Sequence, residues 1–160
     1  MDEFAVNGAF GANDEAKFFE YGQRLHRAIA GAIRPWLDAV IESRLPDTAI
    51  SAQLAETLDG ITTAVDRSIA ELINADVEEP LSGPLERIRR EVEPLNDALD
   101  RLGVPAPHRD VVDVQMRPAD RHTLGPMTFR DLGENVHEAG ITWGAAKAHL
   151  HLQRRRPDTP

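Results

Sequence analysis

From position 14 the chain settles into a rhythm of threes and fours. Phe18, Tyr21, Leu25, Ile29, Ile33, Leu37, Val40 and Ile41 share one face of a helix, and polar residues fill the other. Asn13 or Asp14 is placed to cap its start, and Asp14, Glu15 and Glu20 suit the positive end of the helix dipole. Pro35 lies inside the run. Because it lacks an amide hydrogen, it is expected either to kink this helix or to open the first turn of another.

A second run is announced by Pro46-Asp47-Thr48 and continues through Ile50, Leu54, Leu58, Ile61, Val65, Ile69 and Leu72, with Gly60 weakening its middle. A third has the clearest punctuation. Ser82-Gly83-Pro84 opens it, Leu85, Ile88, Val92, Leu95, Leu99 and Leu102 form the stripe, and Gly103 and Pro105 close it. Pro94 is expected to kink it. Glu86 with Arg90, Arg87 with Glu91, Arg89 with Glu93 and Asp97 with Arg101 stand four apart, which predicts weak ion pairs along the outer face.

Three long amphipathic stretches with short connections predict a mostly α fold, an antiparallel helical bundle over residues 14–103. The near-heptad stripes suit either a monomeric core or pairing with a second chain. Residues 1–13, with two Gly, two Asn and little periodicity, are read as a flexible arm. Residues 104–127 carry Pro105, Pro107, Pro118 and Pro126 and are read as a Pro-rich connector. In it Val112, Val114 and Met116 alternate with polar residues, as in one short edge strand.

The last element, residues 128–156, is expected to be a small helix-turn-helix-like unit. Thr128 and Asp131 approximate a capping box that starts a helix at Phe129, with Leu132 and Val136 inward and Gly140 as its end. Ile141 would plug the angle between two helices. Thr142 would cap a second helix built on Ala145, Ala146, Lys147, Ala148, His149 and Leu150. The segment Gly140-Ile141-Thr142-Trp143-Gly144-Ala145-Ala146-Lys147-Ala148-His149-Leu150 resembles the turn and recognition helix of bacterial helix-turn-helix regulators. Upstream, aligning Asp131-Leu132-Gly133 with the first helix of that family requires three further residues, His137-Glu138-Ala139, before the turn.

The resemblance implies contact with double-stranded DNA through Thr142, Lys147, His151, Arg154, Arg155 and Arg156. Two registers are open. In one, Ala146, His149 and Leu150 face inward, and Lys147, His151 and Arg154 share the outward arc. In the other, Ala145, Ala148 and Leu152 face inward, and Trp143, Lys147, Leu150 and Arg154 form a protein-docking face. In that second case Trp143 and Leu150 are candidate protein-interface residues, since aromatic anchors concentrate binding energy; Trp36, on the first stripe, is read as core packing, with a protein interface as the alternative.

Charge and composition sharpen this picture. The chain of 160 residues has a net charge of -9, which disfavours non-specific binding to polyanions. The excess is uneven: from Arg121 onward, six basic residues stand against four acidic ones. With 41% hydrophobic residues but only 5% aromatic, the core must be built from Leu, Ile, Val and Ala. The absence of cysteine removes disulfides, thiolate metal sites and thiol nucleophiles. Met1-Asp2-Glu3-Phe4 lacks the basic and apolar regions of a signal peptide, and no apolar run approaches a membrane span, so a cytoplasmic protein without membrane contact is expected.

Catalytic and metal-binding patterns are weak. His149 and His151 would point apart on a helix, and Glu134-x-x-His137 occurs once, where di-iron bundles need it twice. Asp110 and Asp113 with His108 and His122 make a polar, Pro-flanked patch that suits a surface linker. There is no phosphate-cradling Gly-rich loop, nucleophile elbow or HExxH element. No enzyme activity, metal or cofactor is therefore expected. Two readings follow: a bundle for self-association or partner binding with a DNA-contacting C-terminal unit, or an architectural or adaptor subunit of a larger protein assembly, such as a phage or defence-system component.

Overall fold

The first apolar stripe becomes a single helix, α1, Phe10–Arg44, which at 1.5 Å per residue is about 50 Å long. The structure is a computed structural model that describes residues 10–45, 51–75, 77, 83–105 and 122–155. Two expectations change here. Residues 10–13, read as part of the arm, belong to α1, so Asn13 and Asp14 lie within the helix instead of capping it; residues 1–9 lie outside the described residues. Pro35 neither ends nor restarts the helix. It sits on the exposed side, as does Gly31 one turn earlier, so the missing hydrogen bond and the crowded carbonyl fall on solvent, while Ile33, Leu37 and Ile41 stay buried.

Helix α2, Ala52–Ile73, is capped by Ser51, whose hydroxyl accepts from the Leu54 amide at 3.1 Å. It runs back along α1. Gly22 meets Ile73, His26 Nε2 lies 2.8 Å from an Asp66 carboxylate oxygen, and Arg34 pairs with Asp59 and, at 3.1 Å, with Asp38. Asp59 first, then Asp38, raises the Arg34 pKa above its ordinary value. Leu54, Leu58, Ile61, Val65 and Ile69 bury their side chains against Leu25, Ile29, Ile33, Leu37 and Ile41 in one apolar cluster.

The third run is cut in two at the expected kink. Helix α3, Gly83–Glu91, and helix α4, Pro94–Arg101, are separated by Val92 and Glu93, with Pro94 at the first turn of the new helix, where its missing N–H is harmless. Gly103, at φ +79°, ends α4. Its N–H reaches the Asp100 carbonyl and that of Val104 the Leu99 carbonyl, both at 3.0 Å, a pair that needs a left-handed residue. Arg87 reaches out of its own helix, to Glu71 at 3.6 Å and the Ser68 carbonyl at 3.3 Å, and Ser68 donates to Glu91 at 2.6 Å. These bonds hold α3 to α2 in place of the expected Arg87–Glu91 pair along the helix.

The expected strand at Val112–Met116 falls outside the described residues. From His122 the chain is non-helical up to a capping box in which Asp131 N–H donates to the Thr128 hydroxyl at 3.3 Å and Thr128 N–H to the Asp131 carboxylate at 3.0 Å. The box starts only one 3-10 turn, Phe129–Leu132, which Gly133 at φ +122° ends. Helix α5, Glu134–Arg155, then runs without interruption through Gly140, Ile141 and Thr142.

The helix-turn-helix expectation is therefore corrected: where the turn was placed, there is continuous helix. Gly140 is not a terminator but a notch. Phe129 folds back onto it, and a Cβ there would lie 2.7 Å from the ring Cε2 and 2.8 Å from Cγ. Thr142 does not cap a helix; its hydroxyl donates to the Glu138 carbonyl one turn back at 3.1 Å. Replacing Gly140 by Ala is expected to destabilise the fold by about 1–3 kcal/mol through overpacking. Gly31→Ala, on an open helix face with nothing within 4 Å, should stabilise by about 0.5–1 kcal/mol. Thermal melts of both variants check the contrast, and a neutral Gly140→Ala would contradict the notch.

Candidate interaction surface

Helix α5 is apolar on two opposite faces. The inner face is Val136, Ala139, Gly140, Trp143, Lys147 and Leu150, spaced at three and four. Trp143, 1% exposed, stacks on Phe18 of α1 with ring centroids 6.1 Å apart and planes inclined by 20°. At Gly22 of α1 a Cβ would stand 2.9 Å from Ile73 Cγ2, too close, and 3.5 Å from the indole nitrogen, an ordinary contact, so the glycine makes room for Ile73 beside the ring. Among the described residues the buried indole N–H finds no hydrogen-bond partner, a cost of about 1–3 kcal/mol that burial of the ring must offset.

Lys147 is the least expected member of this face. It is 3% exposed, and its ammonium lies 5.2 Å from the Trp143 ring and 5.8 Å from that of Phe18. The aliphatic stem packs inward, and the charge rests over two aromatic faces. Further along, His149 pairs with Asp14 at 3.1 Å and Arg154 with Glu15 at 3.8 Å, so the basic end of α5 lies on the acidic start of α1. These contacts set α5 antiparallel to α1.

A second polar anchor holds the segment before the 3-10 turn. His122 is wholly buried: its N–H donates to Asn96 Oδ1 at 3.0 Å, its Nε2 lies 2.8 Å from Asp100 Oδ1, and its carbonyl accepts from Arg44 at 2.6 Å. Arg89 donates to the Pro126 carbonyl at 2.9 Å. The polar patch expected around His122 is thus not a surface feature at this residue, while His108, Asp110 and Asp113 lie outside the described residues. His122 serves as the tie between α4 and the end of α1.

The outer face of α5 carries Ile141, 57% exposed, and Leu152, 66% exposed, with the exposed Ala145 and Ala148 between them. Beside Ile141 opens a mostly apolar groove of about 370 Å³, lined by Leu85, Met127, Phe129, His137 and Gly144 among others. Met127, 55% exposed, forms its rim. Single exposed hydrophobic residues are ordinary on a protein surface; Met127 and Ile141 differ in lining one groove together.

Neither expected register of this helix matches. Of the residues expected to touch DNA, Lys147 is buried, Arg154 is engaged with Glu15, and Thr142 is bonded within its own helix. His151 and Arg155 sit together in the last turns, 3.4 Å apart, and Arg156 lies outside the described residues. Of the expected interface residues, Trp143 and Leu150 are buried within the chain and Trp36 packs partly buried on the core. The five described ones do not form one convex basic surface, and the three do not form one patch.

Sequence reading missed Gly22, the packing of Phe129 on Gly140 and the exposure of the outer stripe of α5. The available signal was the recurrence of Gly or Ala within otherwise apolar stripes, which marks close approach as well as turns. Among the described residues, no group of three or more His, Asp or Glu is arranged to hold a metal ion, and no helix is long and apolar enough to cross a membrane.

Burial separates the roles of the two basic residues that share this helix. Lys147→Ala is expected to lower stability by about 1–3 kcal/mol through lost packing, and Arg155→Ala by no more than about 0.5 kcal/mol. Denaturant unfolding of both variants decides it; equal effects would contradict the inward placement of Lys147. No protein-family model, curated protein or solved structure matches this chain.

Proposed function

We propose that this chain is a non-enzymatic, architectural or adaptor subunit of a protein assembly, a helical bundle that binds protein through the outer face of α5 and the groove beside it. The observation that carries the reading is the grouping of Met127, Ile141 and Leu152 on and beside one helix, all more than half exposed. Covering side chains of this size stabilises an association by about 1.5–3 kcal/mol each. The cysteine-free composition suits a reducing, cytoplasmic setting.

Contact with DNA is the second reading, favoured by the exposed Arg155 beside His151 at the end of α5. It has less support, because Lys147 is buried and Arg154 is paired with Glu15. The two readings separate in one pair of measurements on the full chain. In-cell cross-linking should yield a species heavier than the monomer that is lost in Met127→Asp and Ile141→Asp, both at exposed positions, with helicity unchanged by circular dichroism. Labelled duplex DNA should show no salt-dependent binding. Binding that weakens linearly in log salt and requires Arg154 and Arg155, with the cross-linked species unaffected, would overturn the assembly reading in favour of DNA.

A further inference from the structure

The outer stripe of α5 has an internal symmetry. Glu138, Ile141, Ala145, Ala148, Leu152 and Arg155 follow one another at steps of three, four, three, four and three. All six are exposed, on the face opposite the one that holds Trp143. Read from either end, the order is charged, large, small, small, large, charged. Only the charge changes sign, acidic at the start of the helix and basic at its end.

We propose that two copies of this chain pair through this face of α5, with the two helices antiparallel about a two-fold axis between Ala145 and Ala148. The proposal rests on the protein-binding reading above and names its partner. Such an axis sets Ile141 of one copy opposite Leu152 of the other and places the four alanines at the crossing, where small side chains let helices approach closely. It brings Glu138 of one copy level with Arg155 of the other, twice over. A two-fold interface must be self-complementary, and a stripe symmetric in size and antisymmetric in charge meets that condition in the antiparallel direction only. A parallel pair would set Glu138 against Glu138 and Arg155 against Arg155. The step of 3.5 residues is that of helices that pack along a seam, and a helix apolar on opposite faces is one expected to be covered on both.

The chain contains no cysteine, so introduced thiols report the pairing directly. Sedimentation of the full chain over a dilution series should show a dimer. An equal mixture of Ile141→Cys and Leu152→Cys chains should form a disulfide-linked mixed dimer on mild oxidation. Ile141→Cys alone should not, since 11 residues separate the two positions, about 16 Å along the helix. Glu138→Arg or Arg155→Glu alone should weaken the dimer at least tenfold, and the double charge exchange should restore it. A chain monomeric at every concentration would overturn the pairing. So would a dimer in which Ile141→Cys links to itself, or one indifferent to the charge variants. In either dimeric case the broader protein-binding reading stands, and the pairing proposed here falls alone.

Discussion

The burial of Trp143 of α5 against Phe18 of α1 is the contact from which the rest of the architecture follows. Helix α1 is apolar at Leu25, Ile29 and Ile33, where α2 lies against it, and around Gly22 it must accept Ile73 from α2 and Trp143 from α5 together. Only a residue without a side chain admits both. Once Trp143 is seated, the helical period carries Lys147 and Leu150 inward, and His149 and Arg154 come to Asp14 and Glu15. The buried indole thus sets the rotation of a 22-residue helix and decides which of its sides faces solvent.

The loop before α5 is held by different physics. Beside the apolar burial of Leu124, a buried imidazole, an amide and a carboxylate on α4 and a guanidinium from the end of α1 tie it down. Hydrogen bonds of this kind are directional and add little net stability when made, but each costs more when one partner is lost. They fix the exit of the chain toward the 3-10 turn, and Phe129 then docks on Gly140. Apolar burial thereby sets how α5 rotates, and polar ties set where its beginning lies.

Much of the helical body was legible from spacing alone. Apart from Leu102, which is exposed, and Ile50, which lies outside the described residues, the stripes of α1, α2, α3 and α4 lie at positions that become buried or half-buried, because alternation between Leu or Ile and charged residues leaves one choice of inward face. The C-terminal helix was not legible, for a physical reason. With Gly140 and Lys147 on its buried side and Ile141 and Leu152 on its exposed side, the periodic signal cancels, and a glycine followed by an apolar residue and a threonine mimics a turn. What distinguishes a notch from a terminator is the phenylalanine eleven residues upstream, a tertiary fact that local propensity does not contain. Pro35 and Pro94 make the same point in opposite directions: the first is tolerated inside α1, and the second opens α4.

The whole arrangement stands on α5 being one unbroken helix, clamped inward and apolar outward. Amide hydrogen exchange across residues 136–150 tests it most directly. Continuous protection through Gly140, Ile141 and Thr142, at the level of Trp143 and Lys147, is the predicted result. Fast exchange confined to Gly140–Thr142, with protected segments on either side, would contradict it and restore a turn between two helices.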